Sequence, residues 1–470
     1  MSTFGPLSRC LGIAAILSAA WMLPLLLELP AASAATPPPD WVVSTPTTLD
    51  RTVKDLRANL IIESGGELRI TNSTLVMNCS TEGELGILVK AGGRLVGEKA
   101  NITFGPNRAH YWFRVNGSME LRDSELSGTR GMFDLGGIYV TSSQVSITNC
   151  RLFDHQWYAL LINGTSPSIT GNRIDGCKGG IRIENGGKPA ITGNTIQNNE
   201  KDGITVLGSN PTIRDNKIEN NWRGIGLFQS EPDISGNVIS GSGLVGIDCS
   251  DNSDAAITGN TISGSGQAGI SVFYSAPRIR TNTLTSNGVG INTTASAADI
   301  DQNTIAANRE WGVYAKGGAP TLNGNKYADS SGKSNGLGAV ASVWTLSVKV
   351  VDSIKKPVPD ATVTVKDRSG KVVYTGRTGE DGTVPALELF QSQSGDGGSS
   401  ASSTPHTIKV RWEDLSSTTT VTMDKDRTIT AELTRPAEKG FLPGAGTALT
   451  VIAICLSMLL TLRIRGRTGP

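Results

Sequence analysis

The octet "PAITGNTI", Pro189–Ile196, returns along the chain with small changes, as PSITGNRI at Pro167–Ile174, PTIRDNKI at Pro211–Ile218 and PDISGNVI at Pro232–Ile239. Aligned on its Asn, it gives the series Asn172, Asn194, Asn216, Asn237, Asn260, Asn282, Asn303 and Asn325, with steps of 22, 22, 21, 23, 22, 21 and 22 residues. A fixed period of this length marks a stacked repeat architecture. A second landmark keeps the same beat eight or nine residues after each Asn: Gly180-Ile181, Gly203-Ile204, Gly224-Ile225, Gly246-Ile247, Gly269-Ile270, Gly290-Ile291 and Gly312-Val313. Two residues on, the chain is often apolar again (Ile183, Val206, Leu227, Cys249, Val272), which is the alternation of a strand.

One such repeat cannot bury its apolar face alone. Stacking places Ile169, Ile191, Ile213, Ile234, Ile257, Ile279, Ile300 and Leu322 in one inward column, and Ile174, Ile196, Ile218, Ile239, Ile262, Leu284, Ile305 and Tyr327 in another. Successive coils then pair as parallel strands about 4.8 Å apart. Degraded copies lie upstream: VSITNCRL puts Cys150 at the Asn position, MELRDSEL puts Ser124 there and LRITNSTL puts Ser73 there. The expectation is an all-β parallel solenoid over about 50–332, of eleven or twelve coils. The repeated Asn reads as structural, because inward amides stacked along the axis satisfy one another. A catalytic Asn is needed once.

The composition agrees: 56 Gly, 5% aromatic and 18% charged residues suit a chain that turns often. A net charge of +1 implies no nucleic-acid partner. The repeat resembles the right-handed parallel β-helix of NosD-like and pectate-lyase-like surface proteins. That resemblance covers roughly 280 residues and implies a fold that hosts lyases, hydrolases, epimerases, adhesins and scaffolds.

Beyond Lys333 the period stops. Alternating segments and turns over 343–434 predict a small β-sandwich, which resembles Ig-like or carboxypeptidase-regulatory-like modules and implies a spacing or docking role. Both chain ends read as membrane-directed. An apolar run after Arg9 and the small-residue site Ala32-Ser33-Ala34 predict a signal peptide over 1–34, with an uncleaved anchor as the rival. The apolar stretch 441–462 is long enough for a transmembrane helix, and the basic tail 463–470 would lie in the cytoplasm. Its Pro443-Gly444 resembles an archaeal sorting signal, although Ala445 departs from the pattern. Everything between is expected at the cell surface. The sequons at Asn72, Asn78, Asn101, Asn116, Asn163 and Asn292 are candidate glycosylation sites there. Cys79, Cys150, Cys177 and Cys249 read as free thiols. Cys150 and Cys249 are inward and about four coils apart, too far to bond, and Cys177 falls in a loop.

Candidate chemistry lies in the irregular loops. In LFDHQWY, Asp154, His155 and Tyr158 could abstract a proton alpha to a uronate carboxyl. The set resembles the Asp-Pro-His signature of alginate epimerases without its Pro. In DCSDNSD, Asp248, Asp251 and Asp254 could gather oxygen ligands for Ca²⁺, or form a solvated turn. Trp157, Trp222, Arg223, Phe273, Tyr274 and Trp311 could stack on sugar rings or cover loop edges. Asp299 and Asp301, each matched to Arg278 or Arg280 one coil earlier, read as a cross-strand charge pattern rather than a hydrolase pair. The copper handling attached to the NosD name needs soft or imidazole ligands, and neither the three His nor Met77, Met119 and Met132 form a cluster in the sequence. The favoured reading is a membrane-anchored structural or glycan-binding protein of the cell envelope. The alternatives are a polysaccharide lyase, C5-epimerase or glycoside hydrolase, and then a copper-handling protein.

Overall fold

The computed structural model describes residues 38–131, 137–328, 340–394 and 400–434. The expected signal peptide, transmembrane helix and basic tail lie outside them. No helix among the described residues is long and apolar enough to cross a membrane.

The solenoid runs from Trp41 to Ala328 as thirteen coils, each giving one strand to each of three parallel sheets, A, B and C. It therefore starts earlier and has more coils than the periodicity suggested. The first coil, Trp41–Leu56, lacks both sequence landmarks, yet its three strands pair in register with Leu60–Ile62, Glu67–Thr71 and Thr74–Met77. Sheet A carries the Gly-Ile strands, sheet B the strands before each Asn and sheet C those after it. The columns hold as read: Ile169 pairs Ile191 in sheet B, and Ile174 pairs Ile196 in sheet C. These Ile are fully buried, each contributing about 2 kcal/mol by removal from water. Leu322 and Tyr327, at the last strands of sheets B and C, are only partly covered.

The octet's Gly has a backbone reason. Gly193 stands at φ 65° just before Asn194, in the left-handed region. Asn149 and Asp215 fill the same place in other coils at φ 53° and 56°, residue types that tolerate it.

Inside the bend the Asn column is fully hydrogen-bonded. The backbone N–H and Nδ2 of Asn172 both donate to Oδ1 of Asn194, at 2.8 and 3.0 Å, while Nδ2 also donates to the carbonyl of Ile147. The same set recurs down to Asn303 and Asn325. Two further polar columns line the other bends. One runs through Thr129, His155, Cys177, Asn199 and Asn221, and later Asn287 and Asn308. The other runs through Ser209, Ser230, Ser253, Ser275 and Ser296, each backbone N–H donating to the next hydroxyl.

All four described cysteines are buried and free. Burial pushes the Cys150 thiol up to about 11 and that of Cys177 up to about 12. Cys177 lies in a bend as expected, but as an inward rung of the second column.

After the last coil, strand Val340–Asp352 continues sheet A in parallel pairing with Val313–Lys316. It then pairs antiparallel with Leu387–Ser394 and parallel with Arg427–Leu433. A four-stranded antiparallel sheet (Val372–Arg377, Thr362–Lys366, His406–Trp412, Leu415–Val421) packs against it around a second core that includes Val348, Val363, Leu389 and Ile408.

Candidate functional site

The outer face of sheet A carries a connected network of charged and polar side chains. Register fixes three parallel rows there. The residue before each Gly-Ile pair gives Gly179, Asp202, Arg223, Val245, Ala268, Val289 and Trp311. The residue after each Ile gives Arg182, Thr205, Gly226, Asp248, Ser271, Asn292 and Tyr314. Two residues further on lie Glu184, Leu207, Phe228, Ser250, Phe273, Thr294 and Lys316.

Arg223 is the centre of this face. Its Nε and Nη2 donate to the two oxygens of Asp202 at 3.1 and 2.9 Å, and its Nη1 donates to Asp248 at 2.6 Å. Gly226 makes the room: a Cβ there would stand 3.1 Å from Nε and Cζ of Arg223. Burial works against the guanidinium charge, but the hydrogen bonds and charges of Asp202 and Asp248 outweigh it and push the Arg223 pKa up. The network extends both ways. Tyr158 donates to Thr205 at 3.2 Å, Thr205 donates to Asp202 at 2.8 Å, and Ser250 donates to Asp248 at 3.2 Å. Phe228 lies 5.3 Å from the guanidinium carbon.

Along one rim, the loop residues before these rows stack as Trp157, Lys178, Lys201 and Trp222. Lys178 and Lys201 lie over the Trp157 ring at 3.7 and 5.6 Å, and neither forms an ion pair with a carboxylate among the described residues. Trp222 is 54% exposed. Toward the C-terminal coils the face opens into a groove of about 420 Å³, lined by Val245, Gln267, Ser271, Asn292, Trp311 and Tyr314, among others. Oδ1 of Asn292 is enclosed there with no hydrogen-bond partner among the described residues.

The sequence-predicted residues distribute unevenly over this geometry. Arg223, Trp157 and Trp222 belong to the face, and Tyr158 joins its network. Phe273 stands in the third row and Tyr274 follows it at the far rim, both exposed and edge to face at 4.4 Å. Trp311 is not an exposed loop aromatic: it is 5% exposed, packed against Tyr314 and against Phe390 of the C-terminal module. Asp154, His155 and Tyr158 are engaged in three separate places. Asp154 pairs with Arg108 outside the coil, and Tyr158 lies on sheet A. His155 is 3% exposed inside the bend, its Nδ1 accepting from the Thr129 hydroxyl at 2.6 Å. Burial lowers its pKa from 6.5 to about 3.

The Asp248–Asp254 loop likewise does not converge. Asp248 faces Arg223, Asp251 is exposed, and Asp254 accepts the backbone N–H of Ala276. Among the described residues no group of three or more His, Cys, Asp or Glu side chains is placed to hold a metal ion. Asp299 and Asp301 do lie opposite Arg278 and Arg280, but Arg280 approaches both carboxylates, at 2.6 and 4.0 Å. Of the sequons, Asn72 and Asn116 are exposed, Asn78, Asn101 and Asn163 are half-buried, and Asn292 lies in the groove.

Residues 158–308 match the family described as right handed beta helix region, and residues 44–231 match that described as periplasmic copper-binding protein (NosD). The chain is a right-handed parallel β-helix repeat protein. Among solved structures, this β-helix protein is similar to the periplasmic alginate epimerase AlgG, at 13% identity over 64% of this chain and 73% of that chain, TM-score 0.39. It is similar to the catalytic domain of a GH87 alpha-1,3-glucanase, at 12% identity over 58% and 63%, TM-score 0.40. A third is tailspike protein 3 of bacteriophage CBA120, at 10% identity over 76% and 58%, TM-score 0.40. No curated protein matches it.

Sequence reasoning missed Asp202 and the groove residues Gln267, Ser271 and Tyr314. A usable signal was present: Asp202 and Arg223 both immediately precede a Gly-Ile pair, so they stand one coil apart on the same row.

Proposed function

We propose that the β-helix protein binds polysaccharide along the outer face of sheet A, at the cell envelope. The observation that carries this reading is the alignment, on one face, of a Trp- and Lys-bearing rim, a fixed Asp–Arg–Asp network and a groove with an unfilled amide acceptor. Exposed rings offer stacking surface for sugar rings, and fixed polar groups that follow one another from coil to coil along the solenoid axis suit a repeating polymer. Lys178 and Lys201, beside Trp157 and without carboxylate partners among the described residues, favour an acidic polymer. In this reading the chain is exported behind residues 1–34 and held at the membrane by 441–462.

Binding is favoured over turnover because both carboxylates of the network are tied to one guanidinium and His155 is sealed inside the coil. A copper-handling role draws on the NosD match. The cysteines within that span, Cys79, Cys150 and Cys177, are buried, with thiols pushed above their ordinary range, which does not favour copper.

Calorimetric titration of the purified chain with polygalacturonate, alginate and neutral dextran tests the proposal. Saturable binding of an acidic polymer, weakened by Trp222→Ala and by Lys201→Ala, supports it. No binding to any polymer overturns it, and release of unsaturated or epimerised products would replace binding with catalysis.

A further inference from the structure

The C-terminal module reads from its sequence as a spacer, yet it touches the groove at its two aromatic residues. Strand Val340–Asp352 is the next strand of sheet A after Val313–Lys316, and Leu387–Ser394 is the next after that. This continuity brings two module side chains against the last coil. Glu388 accepts from the Tyr314 hydroxyl at 3.4 Å and pairs with Lys316. Phe390 lies 5.8 Å from the Trp311 ring, tilted by 45°. Trp311 in turn lies 6.4 Å from Tyr314, and both rings line the groove in which Asn292 Oδ1 has no hydrogen-bond partner among the described residues.

We infer that the module is a working part of the binding groove, with Glu388 and Phe390 as positioning residues that hold Tyr314 and Trp311 in place for the ligand. The inference rests on the polysaccharide-binding reading for its ligand, but the coupling itself is a property of the chain. Tyr314 is a long side chain on the end coil, and without Glu388 its ring would sample several rotamers, each at an entropic cost to binding. Trp311 belongs to the loop that leads into the last solenoid strand of sheet A, where the neighbour on the far side is the module rather than another coil. The enclosed Asn292 oxygen is an acceptor, which matches a donor such as a sugar hydroxyl. The C-terminal end of the face would then take a hydroxyl-bearing sugar unit, and the Lys178–Lys201 end would take the negative charge.

The test uses the full chain with Glu388→Gln, Phe390→Ala and Phe390→Trp. Affinity for whichever of polygalacturonate, alginate and dextran the wild type binds is measured by calorimetry. Amide exchange of 289–294 and 313–316 is measured without ligand. Glu388→Gln is expected to weaken binding about tenfold, the scale of one lost charge-assisted hydrogen bond, Phe390→Ala by a similar factor through loss of the ring contact with Trp311, and both to speed exchange in those two strands. Phe390→Trp, which keeps a ring against Trp311, is expected to bind as the wild type does, a rescue that general destabilisation would not show. Unchanged affinity in Glu388→Gln and Phe390→Ala overturns the inference, whatever the exchange shows. If the wild type binds none of the polymers, the polysaccharide reading falls, and exchange alone decides: unchanged rates overturn the coupling and faster rates uphold it.

Discussion

The backbone N–H of Thr129 donates to Nδ1 of His155 at 3.3 Å. Asn172 makes the equivalent bond to Asn194 in the neighbouring bend, so His155 serves as a rung. Because Nδ1 accepts, the ring is held neutral with its proton on Nε2, which is buried with no partner among the described residues. The folded pKa is near 3 against an ordinary 6.5. The unfolded chain therefore takes up the proton first as pH falls. Stability is complete above about pH 6.5 and declines toward pH 3, by on the order of 4 kcal/mol over the whole range. His155→Asn is expected to keep the rung and flatten this part of the stability–pH curve, measured by denaturant unfolding between pH 4 and 8. An unchanged slope would remove His155 as its source.

The Asn ladder predicts a directional effect of substitution. Oδ1 of Asn237 accepts both the backbone N–H and Nδ2 of Asn216, and its own Nδ2 donates to Oδ1 of Asn260 and to the carbonyl of Ile213. Asn237→Ala strands several buried polar groups at once, each costing about 1–3 kcal/mol. Amide exchange should rise most in the strands at 212–214 and 233–235 and fade within a few coils, because each coil contacts only its neighbours. Uniform acceleration along the solenoid would contradict the ladder.

Arg223 and Arg280 are both flanked by two aspartates, yet they should respond differently. Asp202 is 4% exposed and both arms of the Arg223 pair are largely enclosed, so Arg223→Met leaves two uncompensated carboxylates and is expected to cost about 3–5 kcal/mol. Arg280 lies at the surface, where water screens its pairs, and Arg280→Met should leave the melting midpoint unchanged. Equal losses in thermal unfolding would show that burial does not separate the two.

Binding of an acidic polymer through Lys178 and Lys201 should be salt-dependent. Affinity is expected to fall as NaCl rises from 50 to 300 mM, since exposed charges are screened over about 10 Å at 0.1 M. The Lys178→Ala/Lys201→Ala double variant should lose most of that slope. Trp222→Ala should weaken binding at every salt concentration and leave the slope intact, because stacking is not an ionic contact.

The solenoid was legible because its period is written in one-letter repetition: Asn faces Asn across every coil from Asn172 onward, and Ile faces Ile across most of them. The second polar column was hidden because its rungs change chemistry from Thr129 to His155, Cys177 and Asn199, and only register relates them. That is why His155 looked like a reactive group in its loop. Arg223 was picked out as a loop residue, but its partners Asp202 and Asp248 lie one coil to either side, 21 and 25 residues away. Trp311 was misplaced because Phe390, which covers it, comes from a segment outside the repeat. What repeats in a sequence can be read from it directly, whereas contacts between different coils, or between coil and module, appear only once the chain is wound.

A stacked solenoid tends to come apart from its ends, where a strand has a neighbour on one side only. The parallel ladder from Val313–Lys316 to Val340–Val343, backed by the antiparallel strand Leu387–Ser394, clamps one end of sheet A. Among the described residues Trp41–Val43 pairs on one side only, with Leu60–Ile62, so unwinding of that sheet is expected to start there and run toward the module. Under tension between its two ends the protein would pay out coils from its N-terminal side first, and the groove, at the clamped end, would be the last part of the face to lose its shape.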